Sequence, residues 1–197
     1  VYSQEELAPE IFSMWITTET AKEAKPGQFI SVYSKDGSRL LPRPISICEA
    51  DPEEGRLRIV YRIAGAGTKE FSSFESGDPI DIMGPLGNGF PQEGENVFLI
   101  GGGIGIPPML ELAKNLNCEK QMILGYRDGN LFLRDEFEAY GEVFVATEDG
   151  SAGTKGNVLD AIRENGLTAD VMYACGPTPM LRALKQYAME HNCLLYT

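Results

Sequence analysis

The chain changes rhythm near residue 95, and this limits its possible folds more than any other feature. Before that point the apolar runs are short and rich in Ile, Val and Tyr. Strands are expected at Ile11–Ile16, at Gln28–Tyr33 behind a Pro26-Gly27 turn, at Pro44–Cys48, at Leu57–Ile63 and at Pro79–Met83. Gly, Pro and Asp separate them, as turns between strands require. One short helix is expected among them, from Lys69 to Phe74. Short strands at close spacing imply a small antiparallel β-barrel.

After residue 95 the pattern alternates. Strands are expected at Asn96–Ile100, Gln121–Gly125, Val143–Thr147 and Val171–Ala174. Each is followed by a helical stretch: Pro108–Asn115, Leu133–Ala139, Val158–Glu164 and Met180–Glu190. Apolar strands alternating with helices mean an α/β doubly wound parallel sheet. The break falls in the polar linker Gly89-Phe90-Pro91-Gln92-Glu93-Gly94-Glu95. The expected organisation is therefore a barrel domain over 1–90 and an α/β domain over 95–197. No internal repeat or low-complexity tract interrupts either half.

Composition removes several function classes. Asp and Glu number 29 against 17 Lys and Arg, a net charge of −12. Such a surface repels a phosphate backbone, so nucleic-acid binding is not expected, and solubility is the plain reading of the charge. No window approaches the roughly 18 apolar residues of a membrane span. Val1 to Glu6 contains no basic stretch leading into an apolar run, so no signal peptide is expected. There is no starting Met, so native residues are expected to be absent. Cys48, Cys118, Cys175 and Cys193 lie far apart without a C-x-x-C pair. Zinc-type spacing is missing, no metal site is expected, and reduced thiols suit a cytoplasmic location. His191 is the single histidine, which excludes a His-dependent triad or a multi-His metal site.

In the second half, Leu99-Ile100-Gly101-Gly102-Gly103-Ile104-Gly105-Ile106-Pro107-Pro108 joins a strand to a helix. Glycines there let backbone approach a ligand, and a helix N-terminus favours a diphosphate. The G-x-G-x-x-G pattern is not met, and a tight turn that binds nothing has the same signature. The next strand ends in Gly125-Tyr126-Arg127-Asp128. Asp128 suits ribose hydroxyls, whereas Arg127 suits a 2'-phosphate, so NADH is favoured over NADPH only by the acid. Tyr173-Ala174-Cys175-Gly176-Pro177-Thr178-Pro179-Met180 again ends a strand and opens a helix. A small thiol followed by Gly-Pro lets a flat ring lie against the chain. A buried core thiol is the ordinary alternative.

In the first half, Leu41-Pro42-Arg43-Pro44-Ile45-Ser46-Ile47 puts an arginine and a hydroxyl three residues apart. Arginine suits a diphosphate through paired, charge-assisted hydrogen bonds. Val60-Tyr61-Arg62 adds an aromatic ring and a second cation, and Gly65-Ala66-Gly67-Thr68 precedes an expected phosphate-binding helix start. Singly these are ordinary barrel and turn residues. Together with the second half they suggest two nucleotide-like ligands.

The order Arg43-Pro44-Ile45-Ser46, Gly67-Thr68, Gly101 to Pro108 and Cys175-Gly176-Pro177 resembles the ferredoxin-NADP reductase superfamily over nearly the whole chain. Its Arg-Pro-Ile-Ser form is most similar to the electron-transfer subunits of class 1B dihydroorotate dehydrogenases. The resemblance implies that Arg43, Pro44, Ile45, Ser46, Val60, Tyr61, Arg62, Gly67 and Thr68 bind FAD. It implies that Gly101, Gly102, Gly103 and Gly105 hold the NAD(H) diphosphate, with Asp128, Thr147, Glu148 and Asp149 beside it. Cys175, Gly176 and Pro177 would line the nicotinamide pocket, and Ser46 and Cys175 would stand nearest the redox chemistry. The family's full-length members pass electrons on through a [2Fe-2S] cluster to an FMN-containing dihydroorotate dehydrogenase partner in pyrimidine biosynthesis. The cysteine quartet for that cluster is not in this sequence: either the chain is truncated or it is a relative without the cluster, and an end at Thr197 within an expected strand favours truncation. Two rivals remain. One is an electron-transfer subunit serving a hydrogenase, sulfite reductase or glutamate synthase. The other is a non-catalytic flavin- or nucleotide-binding regulatory module.

Overall fold

Strand β5, Arg56–Arg62, shows how the first half is built. Leu57, Ile59 and Tyr61 enter one apolar core, while Arg58, Val60 and Arg62 point the other way, the period of two that a pleated strand imposes. In the computed structural model, which describes residues 1–37 and 40–197, β5 lies inside a six-stranded antiparallel sheet. Its other strands are β1 Ser3–Ala8, β2 Ile11–Thr17, β3 Phe29–Val32, β4 Arg43–Asp51 and β6 Ile82–Leu86, in the order β1-β2-β5-β4-β3-β6. The helix α1 spans Ala66–Phe71, and its Phe71 packs edge-on to Tyr61 at 6.2 Å. An edge-to-face pair of this kind contributes about 0.5–1.5 kcal/mol beyond area burial. On the opposite face Arg58 reaches Glu49 at 2.7 Å and Ser13 Oγ at 2.9 Å. Removing either ionic partner would take away the close ion pair of a buried charge.

Several boundaries differ from the sequence reading. β1 was not expected, because Ser-Gln-Glu-Glu-Leu-Ala has no apolar alternation; β2 templates it through the Ser3↔Trp15 to Ala8↔Ile11 register. β6 starts three residues later than the expected strand, because its rungs to β3 run from Val32↔Ile82 to Phe29↔Leu86. α1 starts at Ala66 rather than Lys69, since Thr68 Oγ1 accepts from the amides of Ala64 and Gly65 and so begins the helix earlier.

The second half forms a six-stranded parallel sheet in the order β10-β9-β8-β7-β11-β12. These strands are β7 Asn96–Gly102, β8 Glu119–Tyr126, β9 Glu142–Thr147, β10 Thr154–Lys155, β11 Val171–Cys175 and β12 Leu194–Tyr196. The helices are α2 Pro107–Asn115, α3 Arg134–Phe137, α4 Val158–Glu164 and α5 Thr178–Glu190. α3 is shorter than expected, and Leu133 enters it in a left-handed conformation. Val158, Leu159 and Ile162 of α4 and Leu184 and Ala188 of α5 pack with Phe98, Ile100, Ile123 and Met172 in one core. Asn157 caps α4 by accepting from the Leu159 amide at 2.9 Å, and Asp160 accepts from the Asn157 amide at 2.9 Å. Such a reciprocal cap stabilises a helix by about 1 kcal/mol.

The segment entering this sheet is pinned by aromatics. The Tyr173 hydroxyl donates to the Glu93 carbonyl at 2.7 Å and accepts from the Glu93 amide at 2.9 Å. Tyr196 stacks on Tyr173 at 5.4 Å and hydrogen-bonds the Glu93 carboxylate. Phe90 meets Tyr173 edge-on at 5.7 Å. The chain divides into two compact units, Val1–Gly89 and Phe90–Thr197. No helix among the described residues is long and apolar enough to cross a membrane.

Candidate functional site

In the first unit, β4 changes neighbours partway along. Arg43–Ser46 pair with β3, from Val32↔Arg43 to Phe29↔Ser46. Its rungs to β5 begin only at Ile47↔Ile59. Beyond that rung Val60, Tyr61 and Arg62 pair with β2 at Ser13, Phe12 and Ile11. Among the described residues, Arg43–Ser46 and Val60–Arg62 therefore form no ladder with each other. A parted pair of strands leaves backbone donors and acceptors for a flat ligand.

The expected flavin residues all lie on these parted segments or at the helix start beside them. An ideal Cβ on Gly67 would stand 2.8 Å from Arg43 Nε and 3.0 Å from its Cζ, so the guanidinium occupies the space a side chain would fill. Arg43 also donates to the Leu41 carbonyl. The structure thus joins Arg43 to Gly67, residues 24 positions apart in sequence, as two parts of one cationic cradle. Ser46 is half-buried on the face opposite core residues Ile45 and Ile47. Arg62 is exposed, and Val60 is buried. Tyr61 and Ile45 differ from the simplest expectation: both side chains enter the core, and the Tyr61 hydroxyl donates to Gln4 Oε1 at 2.7 Å. Burial pushes the Tyr61 phenol well above its ordinary range. Only the backbone of these two residues faces the parting. Thr68 Oγ1 is committed to the Ala64 and Gly65 amides at 2.8 and 3.2 Å and to the Gly65 carbonyl at 3.1 Å. It shapes the helix start.

In the second unit the sheet order reverses between β7 and β11, the crevice where doubly wound sheets take ligands. The β7–α2 turn and the end of β11 touch through backbone. A Cβ on Gly105 would lie 2.3 Å from the Cys175 carbonyl oxygen and 2.6 Å from the Gly176 nitrogen. Met180, which the sequence offered only as the start of a helix, fills the space over Gly102 and Gly176. Its Sδ and Cε would lie 2.6 and 2.5 Å from Cβ atoms added there. Gly101, Gly102 and Gly105 thus close against the protein's own atoms, and Gly103, half-buried at φ 53°, is the glycine of the turn with open space where a side chain would stand. α2 contributes less than expected, since Pro107 and Pro108 lack N–H groups and Met109 donates to the Ile106 carbonyl. The 3-10 turn Gly103–Gly105 precedes α2 and carries the N–H groups that its two prolines lack.

The ends of β8 and β9 are knitted together. Glu148 and Asp149 amides donate to the Tyr126 and Arg127 carbonyls at 3.2 and 3.3 Å. Asp128 accepts from the Asn130 amide at 2.9 Å and from its side chain at 2.7 Å. Asp149 accepts from the Ser151 hydroxyl at 2.6 Å, which with the Ser151 amide holds its carboxyl below the ordinary value. Thr147 is fully buried, its hydroxyl bonded to the Ala152 backbone, so it shapes the loop. Cys175 is half-buried at the end of β11, and burial pushes its thiol pKa up. At neutral pH it stands as a protonated, weakly nucleophilic thiol.

The residues fit FAD in the first unit, where the Gly67 cradle holds a guanidinium. They fit a nicotinamide nucleotide in the second, at the open turn of Gly103. They do not fit an iron–sulfur cluster. Cys48 is buried in the first unit; Cys118 and Cys193 precede β8 and β12, while Cys175 ends β11, so the last three lie at opposite ends of one parallel sheet. Among the described residues no group of three or more His, Cys, Asp or Glu is placed to hold a metal ion.

Residues 99–186 match the oxidoreductase NAD-binding domain family. The chain is similar to the dihydroorotate dehydrogenase B (NAD(+)) electron transfer subunit of Bacillus caldolyticus, 43% identical over 196 residues, covering 94% of this chain and 76% of that protein. Its likeness to the same subunit from Streptococcus pneumoniae strain R6 is 41% over 199 residues, covering 97% and 78%. Among solved structures, a chain of the NADH-dependent reduced ferredoxin-NADP oxidoreductase superposes with a TM-score of 0.91 at 34% identity, covering 99% of this chain and 73% of that one. A ferredoxin NADP+ reductase from Neisseria gonorrhoeae, with bound FAD and NADP, shares the fold at TM-score 0.79 and 17% identity, over 96% and 89% of the two chains. Across two ferredoxin-reductase-like units, with the Arg-Pro-Ile-Ser strand and the Cys-Gly-Pro turn both in place, the chain belongs to the family of dihydroorotate dehydrogenase B electron transfer subunits.

Proposed function

We propose that this chain passes electrons between NAD(H), held by the second unit, and FAD, held by the first. The observation that carries the reading is the parting of β4 from β5, with Arg43 lodged over Gly67 at its mouth. When bound, FAD would supply the redox chemistry, two-electron exchange with a nicotinamide and one-electron release. The protein's residues bind, orient and exclude water. Arg43 neutralises diphosphate charge, and Ser46 offers a hydroxyl to the ring edge. Gly103 admits the nucleotide diphosphate, and Cys175 with Gly176-Pro177 supplies a neutral wall for the nicotinamide. The Asp128 and Asp149 loops present fixed carboxylates that favour ribose hydroxyls over a 2'-phosphate, which supports NADH.

By the family resemblance, the electron acceptor would be an FMN-containing dihydroorotate dehydrogenase subunit, in the cytoplasm. Among the described residues no cysteine group is placed to hold the [2Fe-2S] cluster of the family's full-length members. Likeness to the NADH-dependent ferredoxin-NADP oxidoreductase favours a second reading, service to another ferredoxin-reductase-like complex. The test is anaerobic mixing of the FAD-loaded chain with NADH or NADPH. Rapid bleaching of the flavin band by NADH is expected, with higher kcat/KM than for NADPH. A flavin that NADH leaves oxidised defeats the proposal and returns the chain to a regulatory module.

A further inference from the structure

Gly102 and Gly176 are glycines that the backbone itself does not require. Gly102 holds φ −121° and ψ 117°, an extended conformation open to any residue, and Gly176 lies outside the left-handed region. What excludes a side chain at both is Met180. An ideal Cβ on Gly102 would stand 2.6 Å from Met180 Sδ and 3.2 Å from its Cε, and one on Gly176 would stand 2.5 Å from the same Cε. The two glycines also close on each other, since the Gly176 Cβ would lie 3.2 Å from the Gly102 nitrogen and 3.3 Å from its Cα. The thioether therefore lies across both backbones, at the ends of β7 and β11 where the sheet order reverses.

The root of this side chain is held firmly. Met180 sits in the first turn of α5, where Pro177 caps the helix and Pro179 follows inside it, fixing two φ angles. The Leu181 amide donates to the Pro177 carbonyl at 3.1 Å. Met180 is half-buried and packs against the core that holds Leu184 and Tyr187. An unbranched, polarisable thioether suits an irregular slot between two backbones. Two bare glycines and one linear side chain thus make a fixed spacer that adjoins the Cys175-Gly176-Pro177 wall, with Pro177 Cδ itself 3.1 Å from the Gly102 Cβ position.

We propose that Met180 is a positioning residue for hydride transfer. Its thioether sets the spacing of the Gly102 and Gly176 backbones, and through it the seat of the nicotinamide ring against Gly176 and Pro177. This rests on the nicotinamide reading above and deepens it. Affinity for the nucleotide draws on other elements, the Gly103 turn and the loops after β8 and β9, so the seat can shift while binding holds. Transfer of a hydride depends far more on placement: a displacement of about 1 Å can cost about a hundredfold in rate. Met180 therefore acts on rate and not on affinity.

The test is stopped-flow reduction of the FAD-loaded chain by NADH, read as a limiting rate and an NADH dissociation constant. Met180→Ala empties the slot and is expected to cut the limiting rate by about tenfold or more, with the dissociation constant within about twofold of the parent. Gly102→Ala, which drives a methyl against Met180 Sδ, is expected to slow the parent. In the Gly102→Ala/Met180→Ala pair that methyl enters the vacated space and is expected to restore part of the rate, a coupling that two independent defects would not give. Leu181→Ala trims the same helix against the same core; it is expected to lower the melting midpoint and keep the parental rate. If Met180→Ala melts below the assay temperature, Met180→Leu carries the test: one atom shorter, it is expected to slow reduction by about threefold or more at parental affinity. A parental limiting rate in Met180→Ala, or in Met180→Leu where that variant stands in, overturns the proposal. So do rate and affinity falling together, a pair as slow as the product of its single effects, and a Leu181→Ala rate loss equal to that of Met180→Ala. A parent whose flavin NADH leaves oxidised defeats the nicotinamide reading instead.

Discussion

Replacing Gly105 by alanine should damage the second unit far more than the same change at Gly103, two residues away. The Gly105 Cβ would lie 2.3 Å from the Cys175 carbonyl oxygen, 2.5 Å from its carbonyl carbon and 2.6 Å from the Gly176 nitrogen. All three are backbone atoms, and Cys175 is held in the sheet by its rung to Gly101. No rotamer change relieves the clash, so one strand end must move by about 1 Å. Overpacking of this kind costs about 1–3 kcal/mol, and rigid backbone on both sides favours the upper end. For a chain of this length about 3 kcal/mol lowers the melting midpoint by about 6–12 °C. Gly103 has open space, so Gly103→Ala carries only the left-handed backbone penalty of about 1–2 kcal/mol at φ 53°. The assay is thermal and urea unfolding of parent, Gly103→Ala and Gly105→Ala, followed by NADH-driven flavin reduction. Gly105→Ala should also slow reduction, because the moved strand end carries Cys175. An unchanged melting midpoint for Gly105→Ala would refute the argument that two backbones set this turn.

Arg43→Ala should weaken FAD binding by about 1.5–3 kcal/mol, the scale of a hydrogen bond to a charged group, and titration of the apo-chain measures it. Cys175→Ala should slow flavin reduction by NADH in stopped flow while FAD stays bound, because the thiol shapes the pocket and does not attack. Stability should fall at alkaline pH: burial raises the Cys193 thiol from 9.0 to about 11, and the unfolded chain releases this proton first. That contribution is complete below pH 9 and is lost as pH rises toward 11, so urea midpoints should drop across that window and drop less in Cys193→Ala.

The change of rhythm near residue 95 carried most of the architecture, because the periods of strand and helix are written in side-chain polarity. β1 escaped because Gln4, Glu5 and Glu6 follow no apolar alternation; β2 supplies the template, and Gln4 serves by bonding Tyr61. β12 escaped because three residues are too few for a period to register. The site was legible as a set of short motifs but not as contacts. Nothing near Gly105 in sequence announces Cys175, and nothing near Gly67 announces Arg43. The hydroxyls of Thr68 and Thr147 looked available in the sequence, yet local backbone groups use them first. Small polar side chains compete for nearby backbone, and only the folded geometry shows which ones lose that competition.

The aromatic clamp on Glu93 has a consequence for how the second unit comes to exist during synthesis. Tyr196 bonds Glu93 across 103 residues, and Tyr173 holds the same residue across 80. Most strand pairs of this sheet join neighbours in sequence and can form as the chain emerges. This closure cannot: Tyr173 reaches the Glu93 backbone only 80 residues later, and the Glu93 carboxylate stays unclamped until Tyr196 has left the ribosome. Phe90, Tyr173 and Tyr196 therefore act as a late latch, and a nascent chain halted before Tyr196 holds a sheet with a frayed entrance. A ribosome-stalled series of lengths would show protease resistance around Phe90–Glu93 rising once Tyr173 emerges and becoming complete only once Tyr196 is free to stack.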